Sequence, residues 1–182
     1  MYGIVNKAIE ELVIENFGLQ KWDEIKVNCN LDIDFFISNE PYDDRVTYDL
    51  AMAVSEVMNI SLQDVFKTFG EWWILRTCKD NYGHLLESGG DNFKEFMINL
   101  PHFHNRVMMI YPKLTPPEFQ VSEIQSNSLY LHYLSKREGL QDFVHGLITG
   151  LGKFYGTPVD LKLIQSRNDG DHHEVFNVSW KN

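Results

Sequence analysis

Apolar side chains recur at helical spacing through roughly the first two thirds of the chain, then at every second position through much of the rest. Ile4, Ile9, Leu12, Val13 and Phe17 form one stripe that stops at Gly18, which predicts a first helix. A second helix is expected over Asp44–Met58, with Val46, Leu50, Ala53, Val54 and Val57 turned inward. Ser61, Leu62, Gln63 and Asp64 resemble a capping box, so a third helix starts there and carries Val65, Phe69, Trp72, Trp73 and Arg76. Asp91 is expected to cap a further helix reaching Leu100, and Pro101 to start or kink the segment that follows.

Beyond Pro116 and Pro117 the period shortens. Residues 119–124 and 128–137 alternate and flank Gln125, Ser126 and Asn127, which reads as a hairpin. A glycine-studded helix over 140–155 follows. Residues 161–167 and Glu174–Trp180 then flank Asn168, Asp169, Gly170 and Asp171, a second hairpin. The expected fold class is α+β: a helical lobe followed by an antiparallel sheet of about four strands with an inserted helix.

A chain of 182 residues suits a single domain and can fold without a disulfide or structural metal. The formal charge of −10 opposes binding to phosphate backbones, which argues against nucleic acid as a partner. Cys29 and Cys78 lack CxxC spacing, as expected of a reducing, cytoplasmic setting. The N-terminal stretch mixes Glu and Lys into its apolar stripe and reads as neither signal peptide nor membrane span.

Among the seven histidines, His102 and His104 stand out. Two apart on a helix, they point to nearly opposite sides and cannot easily share a metal. His104 shares a stripe with Met97, Leu100, Val107, Met108 and Tyr111, while His102 falls with Asn99, Asn105 and Arg106. A neutral imidazole on an apolar helix face is what an axial haem ligand requires. It is also how a buried, hydrogen-bonded core histidine looks. A second candidate is the run Tyr133, Ser135, Arg137, placed on one face of the predicted strand. A phenol, a hydroxyl and a guanidinium in a row suit a carboxylate or phosphate, such as paired haem propionates, or form an incidental strand end.

Tyr-x-Ser-x-Arg at 133–137 resembles the haem-propionate motif of the H-NOX family, which includes the haem domain of the soluble guanylate cyclase β subunit. The opening Met-Tyr-Gly-Ile-Val-Asn-Lys, the Phe69-Gly-Glu segment, His104-x-Arg-Val, Tyr111-Pro112 and Pro116-Pro117-x-Phe also resemble that family. So do Arg137-Glu-Gly-Leu-Gln-Asp and the Gly-Asp-His-His ending at His173.

The resemblance implies one non-covalent haem b per chain. A helical lobe over roughly 1–62 and an α+β lobe over roughly 63–182 would embrace it. It implies His104 as the axial iron ligand, Tyr133, Ser135 and Arg137 as the propionate grip, and Pro117 as a residue pressing on the haem edge. Val5 and Leu147 would be haem contacts. On the distal side, the position that carries a tyrosine in oxygen-binding members is Phe143 here, which offers no donor. Trp73 falls nearby and is read as a packing residue, although its indole N–H could donate. The implied function is a nitric oxide and carbon monoxide sensor that discriminates against dioxygen. It would signal by release of the proximal histidine and relaxation of the haem. No catalytic role is expected. Output would pass to a separate protein, a histidine kinase or a cyclic-di-GMP enzyme in stand-alone bacterial relatives.

Four other readings compete. Asp171, His172, His173 and Glu174 could serve a hydrolytic metal, but His172 and His173 face opposite ways on a strand. Arg137 could serve a non-haem module for a nucleotide or acidic metabolite, although Gly146, Gly150 and Gly152 lack phosphate-loop context. An oxygen carrier is disfavoured by Phe143. A thiol sensor would need Cys29 or Cys78 to be reactive, and both read as core.

Overall fold

The computed structural model describes residues 1–110 and 115–181. Helix α1 (Gly3–Phe17) buries Ala8, Ile9, Leu12 and Val13 and ends at Gly18, whose φ of 85° suits a residue without Cβ. Phe17, counted in the stripe, is instead 51% exposed, because it sits at the frayed last turn. A helix not anticipated from the pattern, α2 (Leu19–Asn28), follows and buries only Trp22 and Ile25. Helix α3 (Asp44–Met58) has the expected bounds. Asp43 caps it by accepting the Arg45 N–H at 2.8 Å, and Asn59 closes it in the left-handed region.

Ser61 caps α4 (Leu62–Trp72) by accepting the Asp64 N–H at 3.1 Å. The helix does not simply continue through Arg76. It passes into a π-helical turn, Trp73–Cys78, and then into α5 (Lys79–Glu87). Helix α6 (Phe93–Ile110) runs on through Pro101 as one element. Its capping side chain is Asn92, not Asp91: the Asn92 amide oxygen accepts the Glu95 N–H at 3.0 Å, while the Asp91 N–H reaches back to the Glu95 carboxylate. Tyr111 and Pro112 lie outside the described residues.

The sheet comprises β1 (Glu118–Ser122), β2 (Ser128–Leu134), β3 (Val159–Gln165) and β4 (Glu174–Trp180), in the order β1-β2-β4-β3 with every pair antiparallel. Its inner face presents Phe119, Leu129, Leu131, Tyr133, Phe176 and Val178, all buried. Helix α6 docks there through Phe93, whose ring meets Trp180 edge-on at 5.5 Å.

Helix α7 (Gln141–Phe154) packs on α4 at almost backbone contact. A Cβ at Gly146 would stand 2.1 Å from the Lys67 carbonyl oxygen, and one at Gly70 would stand 2.3 Å from that of Phe143. The glycines inside α7 therefore serve helix–helix approach, which offsets their entropic cost.

Candidate functional site

An apolar cavity of about 230 Å³ opens between α1, the π-helical turn, α5, α6, β1, β2 and α7. Of the residues singled out in the sequence, Val5, Trp73, His104, Pro117, Tyr133, Arg137, Phe143 and Leu147 all line it. Ser135 does not. Its hydroxyl instead accepts the Arg137 N–H at 3.0 Å and bonds the Tyr133 phenol, so it supports the two residues that do.

His104 projects from α6 into the cavity, and His102 is exposed. The His104 ring stacks on Phe119 with centroids 5.4 Å apart and planes at 25°. Phe119 in turn leans on Tyr133, also at 5.4 Å. Burial pushes the His104 imidazole down to about 4, against an opposing hydrogen bond to the Pro117 backbone. Proline has no N–H, so that partner is its carbonyl, and His104 must donate. One ring nitrogen is thus committed as donor and the other is left neutral with its lone pair. Metal-ligating histidines use this pairing with a carbonyl to fix their tautomer.

The sequence placed Tyr133, Ser135 and Arg137 on one strand face. Strand β2 ends at Leu134, so Ser135 and Arg137 lie beyond the ladder. The cause is local: the Ser135 hydroxyl satisfies a backbone N–H two residues on, an alternative to strand pairing. Arg167 then fastens the departing chain, donating to the carbonyls of Ser135 at 2.9 Å and Arg137 at 2.8 Å while pairing with buried Glu174.

The Arg137 guanidinium makes a two-pronged ion pair with Asp44 on α3, at 2.7 and 3.2 Å, and donates to the Thr115 carbonyl at 2.9 Å. The amine of Met1 also bonds Asp44 and, at 2.6 Å, the Tyr42 carbonyl. This contact spans 93 residues, and no local signal in the sequence could have found it. It shows that the guanidinium is presented at the cavity wall for fork-like recognition of a carboxylate.

Burial alone would raise the Asp44 carboxyl, but the hydrogen bonds and charge of Arg137 and the amine hold it below its ordinary 3.8. A depressed acid adds stability above its unfolded value and loses it as pH falls through the lower folded value. The thermal midpoint of the wild type should therefore drop more steeply below about pH 4 than that of Asp44→Asn. Parallel melts from pH 3 to 6 check this, and identical slopes would disprove it.

On the opposite wall Phe143 packs against Phe69 at 5.1 Å, and Trp73 meets Phe69 edge-on at 6.1 Å. Tyr2, Cys78, Tyr82 and Leu140 complete the lining and were not singled out from the sequence for this site. Trp73 and Cys78 both reach the cavity because the π-helical turn, with its i→i+5 bonding, stacks residues five apart.

The competing readings fare differently. Asp171 is taken by the Ser166 N–H, His173 by His132 and Glu174 by Arg167, so these residues do not converge on one ion. Burial raises the Cys29 thiol, and pushes that of Cys78 up to about 12, which leaves neither activated as a thiolate.

Residues 2–163 match the family model described as Haem-NO-binding. "Soluble guanylate cyclase 89Da" of Drosophila melanogaster is 25% identical over 93% of this chain, which spans only 26% of that protein. An H-NOX protein from S. oneidensis in the Fe(II)NO ligation state superposes with a TM-score of 0.90 at 20% identity, over the whole of both chains. An Fe(II) unliganded H-NOX protein from K. algicida gives 0.87 at 25% identity, covering all of this chain and 97% of that one. Among the described residues no helix is long and apolar enough to cross a membrane.

Proposed function

The chain belongs to the Haem-NO-binding family, whose cofactor is haem, and on that basis we propose that it is a sensor of nitric oxide and carbon monoxide that rejects dioxygen. The residues present fit the cofactor. The cavity walls are almost wholly apolar, one neutral imidazole enters, and one guanidinium stands at the wall ready for a carboxylate. His104 would be the iron ligand, Tyr133, Ser135 and Arg137 the propionate grip, and Pro117, Val5 and Leu147 the apolar contacts. Bound there, haem would supply a ferrous iron open to a small diatomic gas on the side away from His104.

The observation that carries the reading is the polarity contrast between the two walls. His104 offers the cavity a buried lone pair. Phe143 and Phe69 offer no hydrogen. A pocket without a donor aimed at a polarised ligand favours the less polar gases. Trp73 is held edge-on against Phe69, which supports its role as filler.

The expected result for Phe143→Tyr is a gain in dioxygen affinity of roughly ten- to a hundredfold, since a hydrogen bond to a partly charged partner contributes about 1.5–3 kcal/mol. Absorption spectra of the ferrous protein in air, compared with wild type, test this. A stable oxygen complex in the wild type would overturn the selectivity proposed here.

Signalling is assigned to α6. His104 ties its middle to the cavity, and the Phe93, Phe96 and Met97 turn is sunk in the core. Release of His104 on gas binding would free the helix downstream of that anchor, where Met109 is 82% exposed. A separate histidine kinase or cyclic-di-GMP enzyme that distinguishes the two positions would read the change.

A further inference from the structure

The half-buried outer side of the sheet carries a histidine pair that the cavity does not use. His132 on β2 and His173, one residue ahead of β4, bring Nδ1 and Nε2 to 3.0 Å, with ring centroids 5.3 Å apart. On β1 the Ser122 hydroxyl lies 2.7 Å from the other nitrogen of His132. The ladder creates this grouping: His132 stands opposite Gln120 of β1 and Val175 of β4, which puts Ser122 diagonal to it and His173 at its flank.

We propose that His132 Nδ1 and His173 Nε2 form a second metal site, distinct from the cavity, for a late first-row divalent ion, with copper(II) bound more tightly than zinc(II). With metal–nitrogen bonds of about 2.0–2.1 Å, two donors stand about 2.9 Å apart at a right angle and about 3.4 Å apart at the tetrahedral angle. The observed 3.0 Å separation suits the right-angled geometry that copper(II) and nickel(II) prefer.

Ser122 supplies what such a ligand needs from behind. A hydroxyl that accepts the Nε2–H of His132 fixes the tautomer whose lone pair sits on Nδ1. In the metal-free protein His173 donates its Nε2–H to that lone pair. Binding requires His173 to carry its proton on Nδ1 instead, a change of tautomer with no change of charge. No third His, Cys, Asp or Glu joins the pair among the described residues, so water completes the ion's shell. Serine beside histidine beside histidine is also the order of a nucleophile relay, but these half-exposed side chains lack the enclosed oxyanion donors that acyl transfer uses.

Equilibrium dialysis of the haem-loaded chain against copper(II), followed by elemental analysis, counts copper separately from haem iron. One equivalent should be retained by wild type and by His172→Ala. His132→Ala and His173→Ala should each weaken retention at least tenfold, and Ser122→Ala by about tenfold through the lost orientation. An unchanged Soret band in every variant confirms an intact fold. Failure of wild type to retain a stoichiometric ion at micromolar copper would overturn the site. So would loss in His172→Ala with retention in His132→Ala.

Discussion

Haem-loaded His104→Gly is expected to lose its native axial ligation, with a displaced Soret band and haem retention weakened at least tenfold, about 1.4 kcal/mol. Glycine removes the only side chain that brings an imidazole to the cavity from α6, since His102 on the same helix is exposed. The deleted ring leaves a space beside Phe119, so free imidazole should enter it and restore the spectrum. His102→Gly should leave the spectrum as it is. An unshifted band in His104→Gly would remove His104 from the site and return it to the class of buried core histidines.

The second large effect concerns stability. Gly146→Ala should lower the thermal midpoint by about 6–12 °C, corresponding to about 3 kcal/mol of overpacking in a domain of this size. The added methyl would meet backbone, the Lys67 carbonyl at 2.1 Å, which cannot rotate away as a side chain would. Helix α7 would have to shift off α4, and α7 carries Phe143 and Leu147 of the cavity wall. Gly83→Ala is the control. Its Cβ would meet nothing within 4 Å, so the same change there should stabilise α5 by about 0.5–1 kcal/mol. Calorimetry of the two variants side by side settles the point, and equal midpoints would show that α7 relaxes freely.

What the sequence disclosed follows from which signals are local. Helix α3 and strand β4 have the bounds their periodicity implies, because cap, stripe and alternation are written in consecutive residues. Helix α2 was missed because two buried positions make too faint a stripe and Gly18 reads as a stop. Asn92 displaced Asp91 as cap because both types suit the position, and only the helix bound at Phe93 chooses between them.

The cavity residues were legible through the resemblance and the apolar stripe around His104. Their supports were not. Asp44 and Arg167 reach Arg137 and its neighbours across 93 and 30 residues, and such pairs leave no trace in spacing. The end of β2 at Leu134 was hidden for a related reason. Alternation continues through Ser135 and Arg137, but a side-chain hydrogen bond had already taken the backbone out of the sheet.

The π-helical turn at Trp73–Cys78 makes chain length itself a determinant of the cavity. Its wider winding behaves like one residue inserted into an otherwise continuous helix. Deleting a single residue there would let the backbone return to ordinary winding without disturbing the capped start of α4. Everything downstream would then turn by about 100° about the helix axis. Cys78, Tyr82 and Leu85 would rotate off the wall they now form with Trp73, although none of them had been substituted. An insertion or deletion in this stretch would thus act on ligand binding as a change of phase, where a point substitution acts only as a change of surface.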